Sequence, residues 1–404
     1  MTEHQRDTVS GLLAEIADVG RDGRRGGYSR PVHSPPEHEL REWFVEHAER
    51  RGLDVETDRN GIIWAWHGGV GPGALVTGSH LDSVPGGGAF DGPLGVASAL
   101  VAFDELTARG VTDRRAIAVF PEEEGSRFGL ACLGSQLMTG VVTPEHALGL
   151  KDVDGRTYAE VARASGFDPE RFGADPEALG RIDTFVELHV EQGRGLIDLQ
   201  RPVAVASSIL GHGRWRITVE GEGNHAGATL MADRRDPMVA AAQIVLAIRS
   251  LASLVTDARA TVGRLIPTPG GTNVIASRVD VWLDVRHPDD TTVQTLVERI
   301  REAATLLAAE EGCTATLVQE SFSPTVDFDA ALRDDLAREL GNAPILGTGA
   351  GHDAGVLKEK VRTAMLFVRN PTGVSHSPAE HVEDPDAEAG AAALADSLAF
   401  LSGR

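Results

Sequence analysis

The chain has 404 residues, 42% hydrophobic and 24% charged, an ordinary globular composition whose length predicts two or three domains. A net charge of −22 excludes a nucleic-acid binder, because neutralising phosphates needs lysine and arginine patches. Two cysteines, Cys132 and Cys313, exclude a disulfide scaffold. No apolar run approaches the roughly 18 residues that span a bilayer. The start, "MTEHQRDTVSGLLAEIADVG", is acidic and amphipathic and lacks the basic end and apolar stretch of a signal peptide, so a cytoplasmic protein without membrane partners is expected.

From residue 74, "ALVTGSHL" has the pattern of a buried strand, and the helix "LGVASALVAFDELTARG" follows with Gly110 as its C-cap. A second apolar strand, "AIAVF", comes next, then more helix. Strands alternating with helices predict an α/β layer: a mostly parallel sheet with helices on both faces. Residues 211–322 read differently. "RWRITVEGEG" alternates like a strand, and Asp236 with Pro237 starts the helix "PMVAAAQIVLAIRSLAS". Strands "ARATVGRLI" and "RVDVWLDVRH", a second helix and "CTATLVQES" complete a β-α-β-β-α-β order, the split arrangement of ferredoxin-like domains. The expectation is a small domain, 211–322, inserted into a larger one made of 1–210 and 323–404. The alanine-rich tail "PDAEAGAAALADSLAFL" is a closing helix, with Pro385 in its first turn.

The stretch "GSHLDSVPGGGAFDGPLGV" places His80, Asp82 and Asp91 where the first buried strand ends. Ligands of open α/β sheets bind beyond the carboxyl ends of strands. Asp82 is placed to accept the second imidazole N–H of His80 and orient its ring toward a metal. Each residue also has an ordinary explanation, a loop histidine or an N-cap aspartate. The next strand ends in "FPEEEGSRFG", whose three glutamates are costly to gather unless a cation or protons compensate them. In "TFVELHVEQGRGL", alternation sets Glu187, His189 and Glu191 on the face opposite Val186, Leu188 and Val190. "NPTGVSHSPAEH" adds His376 and His381 in a turn. His80, Asp91, Glu124, His189 and His376 together offer three imidazoles and two carboxylates. That set suits two divalent ions of zinc type, bridged by a carboxylate and a water, and would also accept manganese, cobalt or nickel.

In this order the motifs "GGYSR", "GSHLDSVPGGGAFDGPLGV", "EEEGSRF", "ELHVEQG", "NHAG" with "MADRRD", "NVI" with "DVRH", "GAGHDA" and "GVSH" resemble the M20-type metallohydrolases. Within them they are similar to the N-carbamoyl-amino-acid amidohydrolase group: L-N-carbamoylases, allantoate amidohydrolases and β-ureidopropionases. The resemblance implies that Asp91 bridges two divalent ions per subunit, with His80, Glu124, His189 and His376 as the other ligands. It implies Glu123 as the general base that activates a bridging water and returns its proton to the leaving nitrogen. Glu122 is then a bystander. His225 is implied to polarise the scissile carbonyl, typically in the neighbouring subunit of a homodimer, where such a donor contributes roughly 3 kcal/mol. Asn273 and Arg286 match residues that hold the substrate carboxylate, and Gln192 is a substrate-side amide. Arg234 and Asp236 fit an M-x-x-R-x-D element, with helix capping an equal role for Asp236. His352, Asp353 and Asp82 support the ligands from behind.

Three positions depart from the group: Leu230 where proline is usual, His212 where glutamine is common, and Arg369 where a small serine is typical. Arg369 either binds a second acidic group on the substrate or pairs with a surface acid. The reaction implied is hydrolysis of a carbamoyl or ureido C–N bond on a small carboxylate substrate, releasing ammonia and carbon dioxide. The alternatives are an aminopeptidase, dipeptidase or N-acyl amino-acid hydrolase, and a catalytically silent binding homologue.

Overall fold

The computed structural model describes residues 7–403. The chain divides into two compact units, one of residues up to 207 together with 327 onward, the other of residues 208–326. Among the described residues no helix is long and apolar enough to cross a membrane.

The first unit is built on a nine-stranded sheet. Its centre is four neighbouring strands, Arg115–Phe120, Ala74–His80, Ile182–Val190 and Arg362–Val368, all parallel. Nearly every residue of these strands is buried, as expected of a sheet covered on both faces. Val186, Leu188 and Val190 face the helices Pro93–Ala108 and Asp384–Ser402, within a core that also takes in Val9–Glu15. The opposite face is covered by Asp353–Leu357 and Leu133–Thr139.

The expected mostly parallel sheet is instead mixed. Asp54–Thr57 and Ile63–His67 form an antiparallel hairpin that pairs antiparallel with Arg115–Phe120, and Val203–Ile209 runs antiparallel to Arg362–Val368. The reason for the hairpin is local. The Asp58 carboxylate accepts the N–H groups of Asn60 and Ile62, Gly61 takes a φ of 84°, and so the chain reverses with no room for a crossover helix.

The second unit is an antiparallel sheet in the order Thr314–Ser323, Gly211–Glu220, Arg278–His287, Arg259–Thr268. Trp215, Ile217 and Val219, with Val279, Val281, Leu283 and Val285, bury one face against the helices Pro237–Ser253 and Asp290–Glu310. Asp236 and Asp289 cap those helices through the N–H groups of Met238 and Thr292.

Candidate metal centre and active site

Three of the parallel strands deliver their last residues to one edge of the sheet. His80 ends Ala74–His80, the turn after Phe120 holds Glu123 and Glu124, and His189 is next to last in Ile182–Val190. His80 and His189 are fully buried, with stacked rings whose centroids lie 5.7 Å apart. Asp91 enters from the loop before the helix Pro93–Ala108. Gly92 makes that entry possible: its φ is 86°, and a Cβ there would lie 2.6 Å from the His80 ring.

The hydrogen bonds fix which nitrogens face the centre. Nδ1 of His80 lies 3.0 Å from the carbonyl of Asp82, and Nδ1 of His189 lies 3.0 Å from the carbonyl of Val190. A carbonyl only accepts, so each Nδ1 carries a proton and Nε2 is the nitrogen each ring turns inward. Those two nitrogens are 3.5 Å apart, and they lie 3.5 and 3.1 Å from Oδ1 of Asp91. Three ligand atoms thus converge on one point, which an ion or a shared proton can fill. The other oxygen of Asp91 meets a second group: Nε2 of His376 is 3.4 Å from Oδ2 of Asp91 and 3.2 Å from Oε2 of Glu124. In each group one ligand atom per residue falls within 4.8 Å of the others, and Asp91 belongs to both.

The electrostatics make the same demand. Burial pulls the His80 imidazole down, yet Glu123, Asp91 and Asp82 more than reverse this and hold it well above the usual histidine value. Burial would raise Asp91, but His189 and His80 keep it well below the usual carboxylate range. Burial, reinforced by neighbouring carboxylates, pushes Glu123 and Glu124 far above theirs. Burial thus drives Glu123 and Glu124 toward their protonated forms, and a bound cation is one way to keep such carboxylates ionised. Imidazole with carboxylate, sharing one carboxylate between two groups, fits a pair of divalent ions.

Glu123 stands beside the centre without binding into it. Its Oε2 is 3.7 Å from Nε2 of His80, its Oε1 is 3.8 Å from Nδ1 of His352, and the Cys132 thiol donates to Oε1 at 3.7 Å. Glu122 turns away, with φ 54°, and accepts the N–H groups of Arg127 and Phe128. It is the staple of the turn.

Asp82 acts differently from the expectation. Its backbone carbonyl, not its carboxylate, takes the His80 proton, since Oδ1 lies 3.7 Å from Nδ1. The carboxylate instead accepts the backbone N–H groups of Glu123 and Glu124, both at 3.2 Å, and so sets the turn that presents them. His352 is buried against the His189 ring, with centroids 4.5 Å apart. Asp353 accepts from the Ser135 hydroxyl, and the next N–H, of Ala354, goes to Glu187. Gln192 donates through Nε2 to Oδ2 of Asp91 at 3.0 Å.

Arg369 is paired within the fold, though with a buried acid and not a surface one. Its Nε and Nη2 donate to the two oxygens of Asp386 at 2.8 and 3.0 Å, a bidentate pair with a buried acid on the closing helix.

In the second unit His225 is exposed on the short strand Asn224–His225 and pairs with Val274, next to Asn273. Its Nδ1 accepts the N–H groups of Gly227 and Ala228 at 3.0 and 3.2 Å, which leaves the proton of the neutral ring on Nε2. Arg234 braces this loop through the carbonyls of Ala226 and Thr229. Arg286 is bound bidentately to Asp284 and faces His212 across the sheet. Arg278 starts the Arg278–His287 strand beside Thr268, at the end that carries the Asn273 loop. Arg286 lies eight positions further on, about 26 Å away at 3.3 Å per residue.

One contributor lacked a sequence signal. Glu380 is buried; its Oε1 accepts the N–H groups of Phe90 and Asp91 at 3.1 and 3.0 Å, and its Oε2 accepts the Ser375 hydroxyl at 2.9 Å. It joins the loop of Asp91 to the loop of His376. Nothing in "SPAEH" separates it from a surface acid.

Imidazoles and carboxylates gathered in this way at one edge of a mixed sheet make a candidate centre for divalent metal ions. The chain belongs to the peptidase family M20/M25/M40, whose model matches residues 76–399. Its relatives make it a hydrolase of carbon–nitrogen bonds. It is 36% identical over 390 residues to an N-carbamoyl-L-amino acid amidohydrolase of Geobacillus stearothermophilus, covering 95% of each chain. It is 29% identical to an allantoate amidohydrolase of Escherichia coli (strain K12), covering 98% of each. Among solved structures it resembles a hydantoinase/carbamoylase family amidase from Burkholderia multivorans, with a TM-score of 0.85, 32% identity, and 98% and 97% of the two chains covered.

Proposed function

We propose that this protein hydrolyses the C–N bond of an N-carbamoyl or ureido group on a small carboxylate substrate, such as an N-carbamoyl-L-amino acid or allantoate. The observation that carries the reading is Asp91, shared between the His80–His189 and Glu124–His376 groups with Glu123 at their side. When bound, a pair of zinc, manganese, cobalt or nickel ions supplies an acidified water and a Lewis acid for the carbonyl. Asp91 would bridge the two ions, with His80 and His189 holding one and Glu124 and His376 the other. Glu123 takes the proton from the attacking water and returns it to the leaving nitrogen, a role its place beside both ligand groups supports. One water is consumed; the carbamoyl group departs as ammonia and carbon dioxide.

His225 donates from Nε2 to the developing oxyanion, the atom its two Nδ1 contacts leave protonated. Asn273 and Arg286 hold the substrate carboxylate. The His225–Asn273 end and the Arg286 end of the second unit are too far apart to meet on one small molecule. This supports a homodimer in which the second unit pairs, and one copy lends both His225 and Asn273 to the site that the other copy's Arg286 serves. The same unit acts as a lid.

The test is a screen of manganese- and zinc-loaded protein against N-carbamoyl amino acids, allantoate, ureidopropionate and dipeptides. Ammonia release from a carbamoyl or ureido compound is the expected result. Release of a free amino acid from dipeptides alone would move the chain to the peptidase reading.

A further inference from the structure

We propose that His33, Glu37 and His38 form a separate site for one divalent transition metal ion, outside the Asp91 centre. His33 precedes the helix Pro35–Arg50, and Glu37 and His38 lie in its first turns. One ligand atom from each falls within 4.8 Å of the other two. The His33 side chain is about nine-tenths buried, and neither of its ring nitrogens has a hydrogen-bond partner. A neutral imidazole carries one N–H and one lone pair, so burying both unsatisfied is costly, and a cation between the rings takes up the lone pair.

The spacing supports this. The His33 and His38 ring centroids are 6.0 Å apart, against 5.7 Å for His80 and His189. Two imidazoles sharing one ion at zinc–nitrogen distances bring their centroids to roughly 5 Å, so a small closure completes the site. His38 also lines a groove of about 410 Å³ in which Glu42, Glu46 and Glu49 outnumber Arg41, a net acidic surface beside the site.

Arg41 sets the selectivity. It donates through Nη1 to Oε1 of Glu37 at 3.3 Å, and its Nη2 is held by the Gly61 carbonyl. Oε2 of Glu37 accepts the His33 N–H at 3.0 Å. Each carboxylate oxygen keeps a further lone pair, but the guanidinium beside it repels any cation, as Arg127 does at His33, so the two imidazoles must carry most of the binding. The site therefore favours imidazole-seeking metals, zinc, nickel or copper, over magnesium or calcium.

Equilibrium dialysis of the full chain against zinc, followed by metal analysis, tests this. His33→Phe puts a ring of similar size beside Tyr158 and Phe167, and His38→Gln changes a partly exposed position. Each variant should hold one zinc fewer per chain than the wild type, with ammonia release at saturating metal unchanged. In a His80→Ala background, which disables the Asp91 centre, His33→Phe should again remove one zinc. Equal zinc contents in wild type and both variants would overturn the site and leave His33 as a ring of the aromatic cluster.

Discussion

At the scale of single residues, proton transfer and ion holding fall on different side chains, so they separate by mutation. Glu123 belongs to neither ligand group, although its Oε2 lies 3.7 Å from Nε2 of His80. Glu123→Gln should cut turnover by about 10²–10⁴-fold while leaving the number of ions bound at the Asp91 centre unchanged, which rate and metal assays on one preparation would show. Glu380 works the other way, through the backbone that carries Asp91. Glu380→Ala should weaken ion binding by about 10–100-fold, and Glu380→Gln, which keeps one acceptor for the two N–H groups, should recover much of it in calorimetric titrations. Arg369→Ser leaves a buried carboxylate at Asp386 without its partner. It should lower stability by about 2–4 kcal/mol in denaturant titrations and affect acidic and neutral substrates alike.

At the scale of elements, two short turns decide where strands go and what they present. Asp58 closes the hairpin and is pushed up to about 6, mainly by burial, against hydrogen bonds from Trp64, Ile62 and Asn60. A carboxyl whose folded value is raised binds its proton more tightly when folded. Its contribution is therefore complete below the unfolded value of 3.8 and is lost as pH rises through about 6. Asp58→Asn removes that slope. Whatever constant cost the lost contacts carry, the stability gap to wild type should shift in the variant's favour by about 1–2 kcal/mol between pH 4 and 7, partial exposure trimming the effect. Unfolding at a series of pH values measures it. The loop into Pro93–Ala108 has no such slack. Its glycine, Gly92, joins a positive φ to contact with the His80 ring, so the strand end and the helix start are fixed against each other.

At the scale of the whole molecule, the chemistry spans residues from 80 to 376, and the proposed donor, His225, comes from the second unit. If the donor acts across a homodimer, Glu123→Gln and His225→Ala chains, each nearly inactive, should complement when mixed and reassociated. Half the dimers would be mixed, each with one intact site of two, giving about a quarter of wild-type activity. Mixtures that stay inactive would place His225 in its own chain's site.

The strand and helix order, the sheet edge and the five ligand candidates were legible because they rest on local signals. Apolar runs, alternation, caps and chemically expensive residue clusters are visible in short windows, and "PMVAAAQIVLAIRSLAS" coincides with the helix Pro237–Ser253. The antiparallel margins of the large sheet were not legible, since strand direction depends on which neighbour a segment finds. Nor was the role of Asp82, whose carboxylate and carbonyl do separate jobs that one letter cannot distinguish. What the sequence determined by itself was the chemical inventory and its spacing along the chain. What only the tertiary structure decided was partnership: Asp91 divided between two groups, Arg369 bound to Asp386, Glu380 joining two loops. Periodicity is a property of neighbouring residues, whereas a hydrogen bond between residues some 290 apart in sequence is set by packing of the whole core.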